Sequence, residues 1–217
     1  MVRPVLTAYG EHALLLQLPA DDRQAVEAWA EAVRAARLSG VLDVVPAARS
    51  VLLHLAAGTT PQQAAGLVDG LAGATAEEGG PSPSVAPGAA EVVELPVVYD
   101  GPDLDVVAQA TGLTAQEVVR AHTGTLWRCG FTGFTPGFGY LHSPDDRLTV
   151  PRRSEPRTGV PAGSVALAAG YSAVYPRQSP GGWQLIGRTT TRLWDLERDP
   201  PALVRPGMSV RFVQRSP

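Results

Sequence analysis

The chain has 217 residues, 44% of them hydrophobic and 18% charged, with a formal net charge of −3, so it can bury a real core within one or two domains. Mild acidity argues against a broad electrostatic footprint for nucleic acid or an anionic membrane. All 18 basic side chains are arginine, and the absence of lysine excludes a Schiff-base lysine, a catalytic lysine and the GK[ST] phosphate loop.

Residues 1–18 read as two short strands around Gly10-Glu11, the second running from Ala13 to Leu18. Asp21 or Asp22 can cap a helix in which Val26, Trp29, Ala30, Val33 and Ala36 recur at helical spacing, and Gly40 is expected to end it. Strands follow at Val41 to Val45 and Ser50 to Leu55. Thr60-Pro61 then opens a second helix whose alanine-rich face runs to about Ala72. The order ββαββα implies a small α+β domain. The Gly, Pro, Ser and Ala tract at 73–90 has no apolar periodicity and reads as a linker. The expected division is therefore an N-terminal domain over 1–75, a linker over 76–90 and a second domain over 91–217.

The second domain opens with a strand from Glu91 to Tyr99. Two helices follow, Asp103 to Ala110 and Thr114 to His122, the latter with a Thr114–Glu117 capping box. From Leu126 onward, short apolar runs such as 165-VALAA-169, 183-WQLIG-187 and 209-SVRFV-213 are punctuated by Gly and Pro. That texture indicates a closed or nearly closed β-barrel.

Three stretches of this domain carry the chemistry. In 133-GFTPGFGYL-141 a Pro-Gly step signals a type II turn that can bring backbone close to a ligand between aromatic walls, or can simply pack Phe134, Phe138 and Tyr140 into the core. In 151-PRRSEPRTGVPAGSV-165 three arginines sit among prolines. Their guanidinium groups suit carboxylate or phosphate, although solvated loop arginines are the commoner case. A tight turn at Pro161-Ala162-Gly163-Ser164 would add free amides. In 175-YPRQSPGGWQLIGRTTTRLW-194 the permissive Pro-Gly-Gly lets a ligand or partner approach, while Trp183 can equally plug the end of a barrel. His122 at a helix end favours a structural role. The single cysteine, Cys129, allows no internal disulfide or cysteine-built zinc site, and His12, His54, His122 and His142 show no metal-type spacing, so no metal site is expected. The N-terminal apolar run is too short for a signal peptide or a membrane span, and a soluble cytoplasmic protein is the simplest reading.

Taken in order, GFTPGFGYL, PRRSEPRTGVPAGSV and YPRQSPGGWQLIGRT resemble the KipI family, whose members are also called allophanate hydrolase subunit 1, the B subunit of 5-oxoprolinase (PxpB) or carboxyltransferase domain subdomain A. The resemblance extends upstream through 95–122 and covers nearly the whole chain apart from the linker. It implies a cyclophilin-like β-barrel for the second domain. It also implies two partners, a KipA-like protein (the C subunit of 5-oxoprolinase) and a LamB/YcsF-like protein (its A subunit). Such assemblies hydrolyse 5-oxo-L-proline to L-glutamate at the expense of ATP. ATP, with Mg, would bind at a site shared with a partner. The alternatives it leaves are a regulatory protein that inhibits a sensor histidine kinase, and a carboxyltransferase component of a urea carboxylase/allophanate pathway. Carried over position by position, it names His122, Arg152 and Arg157 as catalytic. Phe134, Pro136, Gly137, Phe138, Tyr140, Pro161, Ala162, Gly163, Ser164, Gly181, Gly182, Trp183 and Gln184 would line the substrate groove. The stretch 126-LWRCGFTGF-134 departs from the family pattern, which puts the packing of that strand in question.

Overall fold

The structure, a computed structural model, describes residues 2–19, 22–77 and 92–216. It divides into two units, residues 1–88 and 89–217. The expected linker lies outside the described residues except for Ala76 and Glu77, which are helical.

In the first unit, period-two alternation sets the sheet. Strands β1 (Val5–Ala8), β2 (Ala13–Gln17), β3 (Val41–Pro46) and β4 (Ser50–Leu55) pair antiparallel in the order β1-β2-β4-β3. Leu14 and Leu16 of β2 stand opposite Leu53 and Val51 of β4. These four side chains are buried under Val26, Trp29 and Val33 of helix α1 (Arg23–Ala36) and Ala64 and Val68 of helix α2 (Pro61–Glu77). Asp22 caps α1 by accepting from the Ala25 N–H at 2.8 Å. The helix stops before Gly40 because Arg37 turns left-handed (φ 45°) and returns its N–H to the Arg34 carbonyl. Thr60 and Gln63 cap α2 reciprocally, at 2.8 and 3.3 Å. This helix runs to Glu77 rather than Ala72: Ala72, Ala74 and Ala76 sustain it by intrinsic propensity where apolar periodicity has ended.

The second unit follows the expected order. Strand β5 (Val92–Val97) leads to helices α3 (Leu104–Thr111) and α4 (Ala115–Gly124). The remaining strands are β6 (Trp127–Thr132), β7 (Gly139–His142), β8 (Arg157–Val160), β9 (Ser164–Ala168), β10 (Tyr171–Val174), β11 (Ser179–Gly181), β12 (Gln184–Arg188) and β13 (Ser209–Gln214). The Thr114–Glu117 capping box is formed. Among the described residues, seven strands make one sheet in the order β12-β9-β10-β7-β6-β13-β5, and β8 and β11 form a separate ribbon. Val98, just beyond β5, exchanges two backbone hydrogen bonds with Arg188 at the end of β12, at 2.9 and 2.8 Å. The two edges of the sheet therefore meet and the barrel is nearly closed. Gly187 permits this approach, since a Cβ there would lie 2.6 Å from the Val98 carbonyl oxygen.

Both faces of the central strands are buried, which is why β9 reads as an unbroken apolar run. Val165, Leu167 and Val174 join Val107, Val118, Ala121 and Phe212 in one core, the side that α3 and α4 cover. Ala166, Ala168, Tyr171 and Ala173 join Phe138, Tyr175 and Trp183 in another. Among the described residues no helix is long and apolar enough to cross a membrane.

Candidate functional site

The second of these cores opens onto the surface as an aromatic wall. The Phe138 N–H donates to the Thr135 carbonyl at 3.0 Å and Gly137 has φ 81°, so Pro136-Gly137 forms the turn its sequence signals. Phe134, one residue earlier than Thr135, is left-handed (φ 65°) and 59% exposed. That conformation is costly for a bulky residue and holds the ring outward. Phe138 packs edge-to-face against Phe134 (5.3 Å), Tyr175 (5.3 Å), Trp183 (5.6 Å) and Tyr140 (5.0 Å). Tyr140 in turn stacks on Phe131 at 4.3 Å. Gly181 fits this wall closely, because a Cβ at that position would overlap the Tyr175 hydroxyl. A cavity of about 290 Å³ is lined by residues 132–137 of this loop together with Trp194 and Ala202.

The proline-flanked arginine segment lies beside this wall and is tied down at three points. Gln184 Nε2 donates to the Pro151 carbonyl at 3.3 Å, and the Arg153 N–H donates to the Gly182 carbonyl at 2.8 Å. The third tie is Asp103, which precedes α3 and is 2% exposed. Its Oδ1 accepts from Arg153 Nη1 at 3.0 Å and Arg157 Nη2 at 2.8 Å, and its Oδ2 accepts from the Leu185 N–H at 2.7 Å. Burial works against the charge of Asp103, but the bonds from Arg157 and Leu185 and the charges of both arginines hold its carboxyl below the usual carboxylate range. Arg157 Nη1 and Gln184 Oε1 are buried without a hydrogen-bond partner. Arg152 is exposed and makes no ion pair among the described residues, yet its charge reaches both tyrosines. Burial pushes the Tyr140 phenol up while Arg152 pulls it down. Tyr175 is likewise pushed up by burial, against a backbone hydrogen bond from Trp183 and the charges of Arg152 and Arg157.

The structure thus gathers Arg152, Arg157, Phe134, Phe138, Tyr140, Gly181, Gly182, Trp183 and Gln184 in one region, with Pro136 and Gly137 in the aromatic turn. Two expectations change. The amides at Pro161 to Ser164 are not free: the Gly163 N–H donates to the Tyr175 carbonyl at 2.8 Å and the Ser164 N–H to the Pro161 carbonyl at 3.3 Å, both within the barrel. Pro161 and Ala162 are exposed beside them. His122 does not join the arginines. It is fully buried in the core under α3 and α4, stacked on Phe212 at 4.2 Å, with Nδ1 on the Tyr99 hydroxyl (2.7 Å) and Nε2 on the Ser172 hydroxyl (2.8 Å). Desolvation lowers its pKa to about 3, which favours the neutral ring, and the ring lies apart from the arginines with which the resemblance groups it as catalytic.

Asp103 and Tyr175 are what sequence reasoning missed. Asp103 read as the first residue of a helix, a place that says nothing of a carboxylate reaching another element. Among the described residues no three His, Cys, Asp or Glu side chains converge as metal ligands.

A family model described as the carboxyltransferase domain, subdomain C and D, matches residues 4–204. The chain belongs to this family. The matched subdomains are C and D, where the resemblance named subdomain A. Among curated relatives, the B subunit of 5-oxoprolinase from Escherichia coli O157:H7 is 52% identical over 124 residues, covering 56% of this chain and 57% of that protein. The protein of the same name from Bacillus subtilis (strain 168) is 44% identical over 128 residues, covering 58% and 53%. The aligned stretches span little more than half the length of these relatives. The crystal structure of TTHA0988 superposes with a TM-score of 0.73 at 35% identity, over 94% of this chain and 40% of that one. K. lactis urea amidolyase gives 0.72 at 18% identity, over all of this chain and 15% of its own, a likeness of fold alone. The recognition of the family and the α+β fold with its barrel-like second unit both stand.

Proposed function

We propose that this chain is one component of an ATP-dependent 5-oxoprolinase, working with a KipA-like partner and a LamB/YcsF-like partner and inactive without them. The observation that carries the reading is the pairing of an aromatic wall with arginines that retain free donors: Arg152, with no ion pair among the described residues, and Arg157 with Nη1 unpaired. 5-Oxoproline offers a carboxylate for such donors and a small ring for the exposed Phe134 and the half-buried Tyr140, which Trp183 supports from the core. Its lactam is unstrained and opens with difficulty at neutral pH. ATP, with Mg, would supply the phosphoryl transfer that makes the lactam carbonyl a better electrophile, at a site shared with a partner. Arg152 and Arg157 bind the carboxylate or phosphate oxygens and stabilise the charge that develops on them. Gln184 and Gly182 keep the arginine segment in place, and the aromatic wall limits water at the reacting end. The relatives that carry the 5-oxoprolinase name support this choice of substrate.

Reconstitution tests it. With both partners present, 5-oxoproline should stimulate ATP hydrolysis, and omission of this chain should abolish the stimulation. Full 5-oxoproline-dependent turnover by the two partners alone would refute the assignment.

A further inference from the structure

We infer that Asp103 is the positioning residue of this groove, bracing Arg153 so that Arg157 is held with half of its guanidinium fork turned to a ligand anion. The inference rests on the anion-binding reading above and assigns its parts. An aspartate just before a helix ordinarily accepts from that helix's own first N–H groups, but Asp103 makes no such bond to α3. Its carboxylate is directed across to the barrel. Oδ2 is fixed on the Leu185 N–H of β12, one residue beyond Gln184, and Oδ1 takes Arg153 and Arg157 together. One buried oxygen therefore sets the spacing of two guanidinium groups, and a backbone bond sets the position of that oxygen.

The Arg157 contact is single where a fork-on-fork pair would use both terminal nitrogens. Nη2 is on Asp103 and Nη1 is buried with no acceptor, a donor left for an oxygen that the protein does not provide. Arg153 is engaged three times, through its N–H, its Nε on the Glu155 carbonyl and its Nη1 on Asp103, so it is a brace. The structure places Arg153 with Arg157 on the carboxylate and leaves Arg152 outside it, whereas the family pattern pairs Arg152 with Arg157.

A plain counter-ion and a positioning residue predict opposite signs. Removing a counter-ion raises the positive charge of the groove and tightens anion binding. Removing a positioning residue lets the guanidinium groups wander and weakens it. The experiment titrates the full chain with inorganic phosphate and follows arginine side-chain NMR signals, in wild type, Asp103→Asn and Asp103→Glu. Asparagine can still accept from the Leu185 N–H but cannot hold two guanidinium groups, and glutamate keeps the charge while moving it by one methylene. Both variants should lose about tenfold or more in phosphate affinity, the scale on which orienting partners act. The signals of Arg153 and Arg157 should lose their restricted rotation while those of Arg152 stay unchanged. Unchanged or tighter binding by Asp103→Asn overturns the positioning role alone. Should that variant not fold, wild-type affinity in a folded Asp103→Glu overturns it equally. Wild type showing restricted Arg157 signals but no response to phosphate would instead overturn the anion groove, and the inference with it.

Discussion

Position 157 shows how one side chain serves both fold and site. Arg157 Nη2 neutralises a carboxylate that is almost fully buried, while Nη1 is left without an acceptor. A lysine there supplies a point charge for Asp103 but not the second nitrogen of a planar fork. In the reconstituted enzyme Arg157→Lys should therefore lower 5-oxoproline-dependent turnover by about a hundredfold, ~2–3 kcal/mol on the barrier, the scale of one deleted preorganised donor. Its thermal midpoint should change little, and steady-state kinetics with thermal unfolding checks both. His122 carries a different prediction. Its folded pKa of about 3 lies below the ordinary 6.5, so between those values the unfolded chain binds a proton that the native ring refuses. The stability due to this difference is complete above pH 6.5 and is lost as pH falls toward 3. Between pH 6.5 and 5 the loss should be about 2 kcal/mol, at about 1.4 kcal/mol per pH unit. Urea unfolding at the two pH values should show that loss in wild type and a flatter dependence in His122→Gln; equal slopes would show that the ring is not buried in neutral form. The structural reading of His122 was open from its place at a helix end, and the fold adds that the ring is sealed in a core. The role of Asp103 was not open, because only the fold reveals that the first residue of an expected helix sends its carboxylate across to β12.

At the scale of elements, the signals that proved reliable were local ones. Thr114 and Glu117, three residues apart, specify a capping box, and Pro136-Gly137 specifies a turn, because each depends on a few neighbouring atoms. The extent of α2 was missed because alanine propensity carries a helix past the end of its apolar face. The expectation of free amides at Gly163 and Ser164 failed because the turn closes on itself, Ser164 donating back to Pro161, and because a turn signal does not say that the distant Tyr175 carbonyl will accept the Gly163 N–H. The β8–β11 ribbon gives a prediction of its own. Gly181 lies against the Tyr175 hydroxyl, so Gly181→Ala must push the tyrosine or the ribbon aside. Overpacking of this kind costs about 1–3 kcal/mol. Denaturant unfolding should register that loss, and weaker anion binding should accompany it as the wall beside Arg152 shifts. Unaltered stability would mean that the ribbon yields freely and does not fix the wall.

For the whole molecule, the division of the apolar residues matters most. Among the described residues, the buried cluster of the first unit draws on residues between Leu6 and Ala72, and both clusters of the second on residues from Val93 onward. Each unit thus has a core of its own. A fragment of residues 92–217 should fold alone, with a cooperative thermal transition by circular dichroism; a non-cooperative melt would show that the first unit completes its core. The groove lies wholly within that second unit, and its central claim is that the arginines bind the anion of the reaction. Arg152 tests this most directly, since among the described residues it makes no ion pair that its loss would break. With both partners present, Arg152→Ala should cut 5-oxoproline-dependent ATP hydrolysis by about a hundredfold, ~2–4 kcal/mol, with the thermal midpoint of the chain unchanged. Wild-type turnover by a folded Arg152→Ala chain under those conditions would contradict the account.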